Sequence, residues 1–448
     1  MAQKFKLHEV FTPSQPAFSN YVERGVVNTQ LLRALKTPGK QLIIYGHTGA
    51  GKTTTLANVL KAENLRAIIT RCVKGMTLNG IIIDAFSQLE VYFQTAIENT
   101  DGGKAGASLG AGYFGIKASF NLENSDSAKS TSKRAVDLPI TPQTLAKYIG
   151  EASCFWVIED FHKIDENEKA QMAQIMKVFM DSSVEYPGVK IIAIGAVNTA
   201  REVVQYDPEM KNRVSEIYVP LMSQSQLRQI ITEGSKLLKI TFDPDVIDKI
   251  ATYSSGLAAV THQLALLMCE IEGIQETQKQ SKFITKETLD AAIEDYINEH
   301  SDTLKSTYDS ATRVKNLRKY ESPKDVLNAI LTCPKEHVTY QDVLAAIKKV
   351  HPEYKGNNLR KYIEELTTTE RGEILRYDKD SYTYHFSNPF LRAYAQFIRK
   401  TENANSPTTK TELHSYLKTI LKRELEIAHD AFRKDFSVDH FPMDDDLE

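Results

Sequence analysis

The sequence predicts an α/β protein: a parallel sheet with helices on both faces, then all-helical segments and a short β ribbon. Three observations carry this. Near-continuously apolar runs (QLIIY at 41–45, SCFWVI at 153–158, VKIIAIGAV at 189–197) alternate with helical spacing, the pattern of strands buried on both faces. The octapeptide GHTGAGKT at 46–53 fits GxxxxGK[ST] between a strand and a helix. From 223 to about 299 the periodicity is helical only.

The chain has 448 residues, 42% hydrophobic and 25% charged, with a net charge of −3. That length predicts two to four domains. The composition excludes a mainly disordered chain, a collagen-like fibre and a uniformly basic nucleic-acid coat. Cys72, Cys154, Cys269 and Cys333 are widely spaced, which predicts free thiols in a reducing, cytoplasmic compartment rather than a zinc site. No signal peptide is read at the start. The longest apolar run begins at Ile191 and is about a third of the roughly 20 residues a membrane span needs, so no membrane partner is expected.

The elements follow in order. Residues 1–20 read as an extended lead-in and 26–36 as a helix; a strand at 41–45 leads into a helix from Lys52 to about Glu63. A strand at 65–72 and a long helix at 77–98 precede a glycine-rich insert at 101–133, read as a hairpin, a flap or a disordered loop. Then come a helix (142–151), a strand (153–158), a helix (166–182), a strand (189–197), short helices (199–213) and a strand (216–221). The expected domains are a core over 1–222, a helical lid over 223–300, a linker over 301–322, a winged helix over 323–400 and a helical acidic tail over 401–448. The winged helix is read from three short helical patterns (323–332, 340–349, 357–367) followed by GEILRYDKDSYTYHFS.

In GHTGAGKT the glycines let backbone N–H groups turn inward around phosphates, and the following helix adds its positive N-terminus. Gly46, His47, Thr48, Gly49, Ala50, Gly51, Lys52, Thr53 and Thr54 form this candidate site. Lys52 is placed to reach the β- and γ-phosphates and the Thr53 hydroxyl to ligate Mg²⁺. CFWVIED at 154–160 is an apolar strand ending in two carboxylates; Glu159 takes the metal side and Asp160 the water side. Asn198, after the next strand, either contacts the γ-phosphate or the attacking water, or caps the helix that begins at Thr199. Arg213 either reaches a neighbouring copy's nucleotide or makes a surface ion pair with Glu209 or Glu216.

With these residues in place the chain resembles the AAA+ and STAND classes of P-loop ATPases, especially the origin-recognition branch. GHTGAGKT resembles Walker A, FWVIEDFH Walker B, Asn198 sensor 1 and Arg213 the arginine finger. YVERG at 21–25 resembles the motif that holds adenine, with Tyr21 and Arg24 its candidates. The resemblance implies a three-layer core with a five-strand parallel sheet, the phosphate-loop strand in the middle, and a helical lid after Ser223. Three departures stand out, the first being that the glycine-rich insert at 101–133 matches no motif of the family. The acids run Glu then Asp, and SSGLAAVTHQL at 254–264 has alanines where a sensor-2 arginine often stands. His262 in that segment is either a nucleotide contact or a structural histidine.

Residues 303–400 hold 18 Lys and Arg against 12 Asp and Glu. Asn357, Asn358, Arg360 and Lys361 are the candidate DNA contacts, opposed by Glu364 and Glu365 on the same helix. Arg371, Arg376 and Lys379 fall in the wing. The expected function is an ATP- and Mg²⁺-dependent switch that self-assembles into a homo-oligomer when ATP-bound and recruits a separate effector protein, as in bacterial defence. The alternatives are a DNA-binding ATPase of initiator, loader or transposition-regulator type, and a nucleotide-binding scaffold without turnover.

Overall fold

Five apolar runs form one parallel sheet in the computed structural model, which describes residues 3–98, 141–195, 210, 212–314, 322–333, 335, 337–378, 381–403, 415, 416 and 419. The expected insert at 101–133, Asn198, Lys379 and nearly all of the expected tail at 401–448 lie outside the described residues. The chain divides into two compact units, Glu23–Leu221 and a second made of Met1–Val22 with Met222–Glu448.

The second unit opens with a single helical turn, α1 (Leu7–Val10). The Glu23–Leu221 unit then runs α2 (Val26–Lys36), β1 (Gln41–Tyr45), α3 (Lys52–Ala62), β2 (Arg66–Arg71), α4 (Leu78–Glu98), α5 (Pro142–Glu151), β3 (Cys154–Glu159), α6 (Glu166–Ser182), β4 (Ile191–Gly195) and β5 (Val214–Tyr218). The sheet order is β2-β3-β4-β1-β5. The central strand is therefore β4. The phosphate-loop strand β1 is interior but flanked by β4 and the edge strand β5, which corrects the expected middle position. Strand β5 also starts at Val214, before the expected 216.

Side-chain alternation along each strand separates two cores. Ile43, Trp156, Ile158, Ile191 and Ala193 pack with α4, α5 and α6. Leu42, Ile44, Val157, Ile192 and Ile194 pack with α2 and α3. Trp156 is fully buried and donates its indole N–H to Thr70 Oγ1 at 3.1 Å. The edge of β2 is closed by one side chain: Gln88 accepts from the Ile69 N–H and donates to the Ile69 carbonyl, both at 2.7 Å. An amide thus occupies the hydrogen bonds a further strand would use. Lys190, at the entry to β4, is buried and donates to the carbonyls of Thr37 and Lys40 just past the C-terminus of α2, where a cation complements the helix dipole. Burial pulls its pKa down to about 8.

In the other unit α7 (Gln224–Leu238), α8 (Pro244–Tyr253), α9 (Ala258–Ile271) and α10 (Lys286–Thr312) enclose a long apolar core. Ser223 and Gln226 form a capping box at the start of α7, and Pro244 follows the Asp243 cap of α8. Two three-residue strands, β6 (Ile240–Phe242) and β7 (Lys282–Ile284), pair in parallel. The expectation of helix only over 223–299 missed them, because three residues are too few to set an alternation. Helix α10 continues to Thr312, so much of the expected linker is helical. Beyond it α11 (Pro323–Thr332), α12 (Tyr340–Val350) and α13 (Leu359–Glu365) precede an antiparallel ribbon, β8 (Leu375–Asp378) with β9 (Thr383–Phe386), and α14 (Pro389–Asn403). Tyr296 of α10 packs on Phe390 at 4.5 Å between ring centroids.

The N-terminal residues belong to this unit. The Leu7 N–H donates to the Gln275 carbonyl at 2.8 Å and the Thr277 N–H to the Phe5 carbonyl at 2.9 Å; Lys4 pairs with Glu276 at 3.1 Å. Leu7, Val10 and Phe11 are fully buried. A Cβ on Gly234 would fall 2.6 Å from the Phe11 ring, so the close passage of residue 11 over α7 requires glycine.

Candidate nucleotide site

The loop from Gly46 to Gly51 joins β1 to α3. Gly46 has φ +153°, and a Cβ there would lie 2.4 Å from the Val219 carbonyl oxygen. Gly49 and Gly51 have φ +77° and +84°, a region L-residues avoid. The loop is thus a turn only glycine can make, against the backbone that leaves β5. His47 and Ala50 are buried while Thr48 and Gly49 are exposed. Lys52 donates to the carbonyls of Gly46 at 2.9 Å and His47 at 2.8 Å. Thr53 and Thr54 lie half-buried in the first turn of α3.

Glu159 and Asp160 leave the same edge of the sheet. Val157 and Ile158 are level with Ile192 and Ala193, and these with Leu42 and Ile43. The acids therefore emerge level with the end of β1, two strands away, about 10 Å. Glu159 continues the alternation of Phe155 and Val157 toward the face on which α3 packs, so it shares a face with the Thr53 turn. Asp160 has φ +57°, ends the strand and accepts from Lys163 at 2.7 Å. The donor set fits Mg²⁺, a hard cation that takes hydroxyl and carboxylate oxygens.

Two arginines border the loop and the acids. Arg24 is buried and donates to the Ala50 carbonyl at 2.5 Å and the Pro220 carbonyl at 2.6 Å. Arg71, which nothing in the motifs singles out, pairs through Nε with Glu159 at 3.1 Å. Its signal in the sequence is a charge ending an apolar strand that lies beside the acidic one. Nearby, burial and then the Asp160 charge push the Cys72 thiol up to about 12, so it stays protonated.

Of the other candidates, Tyr21 is half-buried in the second unit. Arg213 precedes β5 at the end of the sheet opposite the loop and pairs with Asp181 at 3.6 Å; among the described residues this replaces the expected Glu216. His262 is buried, accepts from the Thr12 N–H at 3.1 Å and meets the Phe11 ring edge-on, the contacts of a packed core histidine. Arg360 and Lys361 are exposed on α13 and pair with Glu364 at 4.0 Å and Glu365 at 3.9 Å. Asn357 is exposed and Asn358 half-buried at the helix start. Arg371 is tied to Glu365 at 3.0 Å, and buried Arg376 donates to the Ser255 carbonyl at 2.8 Å. Among the described residues no helix is long and apolar enough to cross a membrane.

No protein-family profile and no curated protein sequence matches the chain. Solved structures do match in shape. The ORC2 protein of Aeropyrum pernix, in its ADPNP–ADP complexes, is 12% identical with a TM-score of 0.50, over 93% of this chain and 98% of its own. The Walker-type ATPase of Pyrococcus abyssi is 12% identical with a TM-score of 0.53, over 84% of this chain and 96% of its own. At such identities the likeness is one of fold: a five-strand parallel sheet, a glycine-built phosphate loop and a helical unit together give this chain the fold of the origin-recognition-type AAA+ P-loop ATPases.

Proposed function

We propose that the chain is an ATP-binding and ATP-hydrolysing switch that handles DNA. The observation that carries nucleotide binding is the Gly46–Gly51 turn, with its three positive-φ glycines, opening directly into α3. Its backbone N–H groups bind the phosphates, and Lys52 exchanges the Gly46 and His47 carbonyls for phosphate oxygens. Thr53 and Glu159 would hold Mg²⁺, which would supply charge neutralisation to the bound polyphosphate. Asp160 orients the attacking water and accepts its proton; its short side chain, already engaged by Lys163, makes turnover slow. Asn198 completes the site at the γ-phosphate. Arg213, at the far end of the sheet from its own loop, acts on a neighbouring copy in an ATP-dependent homo-oligomer.

Supporting the DNA reading, one of the two solved neighbours is an ORC2 protein, and the order of α11 to β9 is that of a winged helix whose α13 carries Asn357, Asn358, Arg360 and Lys361. The i,i+4 pairs on α13 are exposed and weak, so DNA phosphates displace Glu364 and Glu365 readily. Recruitment of a separate effector in defence draws no support from those neighbours.

The test has two arms. Lys52→Ala abolishes ATP binding by calorimetry; unchanged binding rejects the site. Arg360→Ala with Lys361→Ala lowers duplex-DNA affinity and reduces the slope of log affinity against log salt by about 2. An unchanged slope rejects α13 as the DNA contact. Tight ATP binding with no phosphate release assigns the scaffold instead.

A further inference from the structure

The buried guanidinium of Arg24 reaches the phosphate loop from behind. Its Nη1 donates to the Ala50 carbonyl at 2.5 Å and its Nη2 to the Pro220 carbonyl at 2.6 Å. The Ala50 carbonyl belongs to the same planar peptide as the Gly51 N–H, and in a trans peptide the two point in opposite directions. Gly51 is the N-cap of α3, with φ +84°, and its N–H is one of the donors a phosphate would meet there. The same loop is braced a second time by this stretch of chain: Val219 donates to the Tyr45 carbonyl at 2.8 Å, and its own carbonyl fits against Gly46.

We propose that Arg24 is a positioning residue of the phosphate loop, and that it turns and polarises the Ala50–Gly51 peptide toward a polyphosphate instead of contacting the base. A cation on a carbonyl strengthens the N–H of the same peptide as a donor. It also fixes the plane before ligand arrives, so ordering the loop costs less on binding. Through Pro220 the same side chain anchors the loop to the segment that follows β5. This rests on the reading of Gly46–Thr53 as a nucleotide site, and it replaces the base-holding role implied for Arg24 by the sequence.

The experiment titrates the full chain with Mg-ATP, Mg-ADP and magnesium inorganic triphosphate, a probe without a base. Arg24→Met is expected to weaken all three by about tenfold, the size of one charge-assisted hydrogen bond. Arg24→Lys, which keeps one donor, recovers part of that loss equally for all three. Hydrogen exchange at the Gly49–Lys52 amides of the free protein accelerates in Arg24→Met, while amides in β3 and α5 are unchanged. If Arg24→Met does not fold, Arg24→Lys carries the same three-ligand comparison, with a smaller uniform loss expected. Weakened ATP with unchanged triphosphate makes Arg24 a base contact and overturns the proposal, as does equal affinity in all variants. If the wild type binds neither ATP nor triphosphate, and Lys52→Ala matches it, the nucleotide reading itself has failed, a distinct result.

Discussion

Arg71 and Glu159 are register partners across β2 and β3, and their side chains meet at 3.1 Å beyond the ends of both strands. The carboxylate proposed for the metal side thus already has a cation on it. Glu159 is only 13% exposed while Arg71 is 74% exposed, so water screens the pair from the arginine side and it is weak. Arg71→Ala is expected to lower the magnesium concentration for half-maximal ATPase activity by about two- to fivefold, from a pair worth about 0.5–1 kcal/mol. A magnesium titration checks it, and an unchanged midpoint means the pair does not compete with the metal.

Gly46 is the tightest backbone passage in the loop. A methyl group placed 2.4 Å from the Val219 oxygen cannot be accommodated without moving β1 or the exit of β5. Gly46→Ala should therefore lose ATP affinity by more than about tenfold, since relieving that contact shifts the loop by about 1 Å, enough to spoil its hydrogen-bond geometry. Retention of the far-UV circular dichroism spectrum would localise the damage to the loop.

His262 gives the helical unit a pH dependence. Burial lowers its pKa to about 4, well below the usual histidine value of about 6.5. Between those values the unfolded chain binds a proton that the folded chain does not, so stability falls as pH drops from about 6.5 towards 4. The loss is on the order of 2–3 kcal/mol over that window. His262→Gln, which keeps an acceptor for the Thr12 N–H, should flatten the curve. Urea unfolding at pH 7 and pH 4.5 measures both.

Lys190 acts at the other end of the scale. Its folded pKa of about 8 lies below the usual lysine value. Between about 8 and 10.4 the unfolded chain is the more protonated one, so stability of the sheet unit rises with pH across that window. Lys190→Met should abolish the rise. Because Trp156 is the only tryptophan and sits in that unit's core, its fluorescence during denaturation at pH 7.5 and 10 reports the effect directly.

Periodicity and motif reached different depths in this chain. The boundaries of β1, α5 and α6 were legible to the residue, because long apolar runs and capping residues such as Thr141 before Pro142 mark them locally. The Gly46–Gly51 turn was legible because its glycines are demanded by backbone geometry. The lateral position of β1 was not, since nothing within a strand says whether one neighbour or several lie beyond it. Strands β6 and β7 escaped for want of length. The partners of Arg24 and Arg71 escaped for one shared reason: they are a carbonyl and a carboxylate distant in sequence, at Pro220 and Glu159, and spacing within a strand does not name a partner across the fold.

The pairing of residues 4–11 with residues 275–277 has a consequence for how the protein is made. During synthesis residues 4–11 leave the ribosome long before the segment that buries them, and Leu7, Val10 and Phe11 wait in water or on a chaperone while the whole sheet unit is translated. The helical unit is completed only when both ends of that interval are free in solution. A nascent chain stalled anywhere before residue 277 exposes an apolar strap with nothing to cover it.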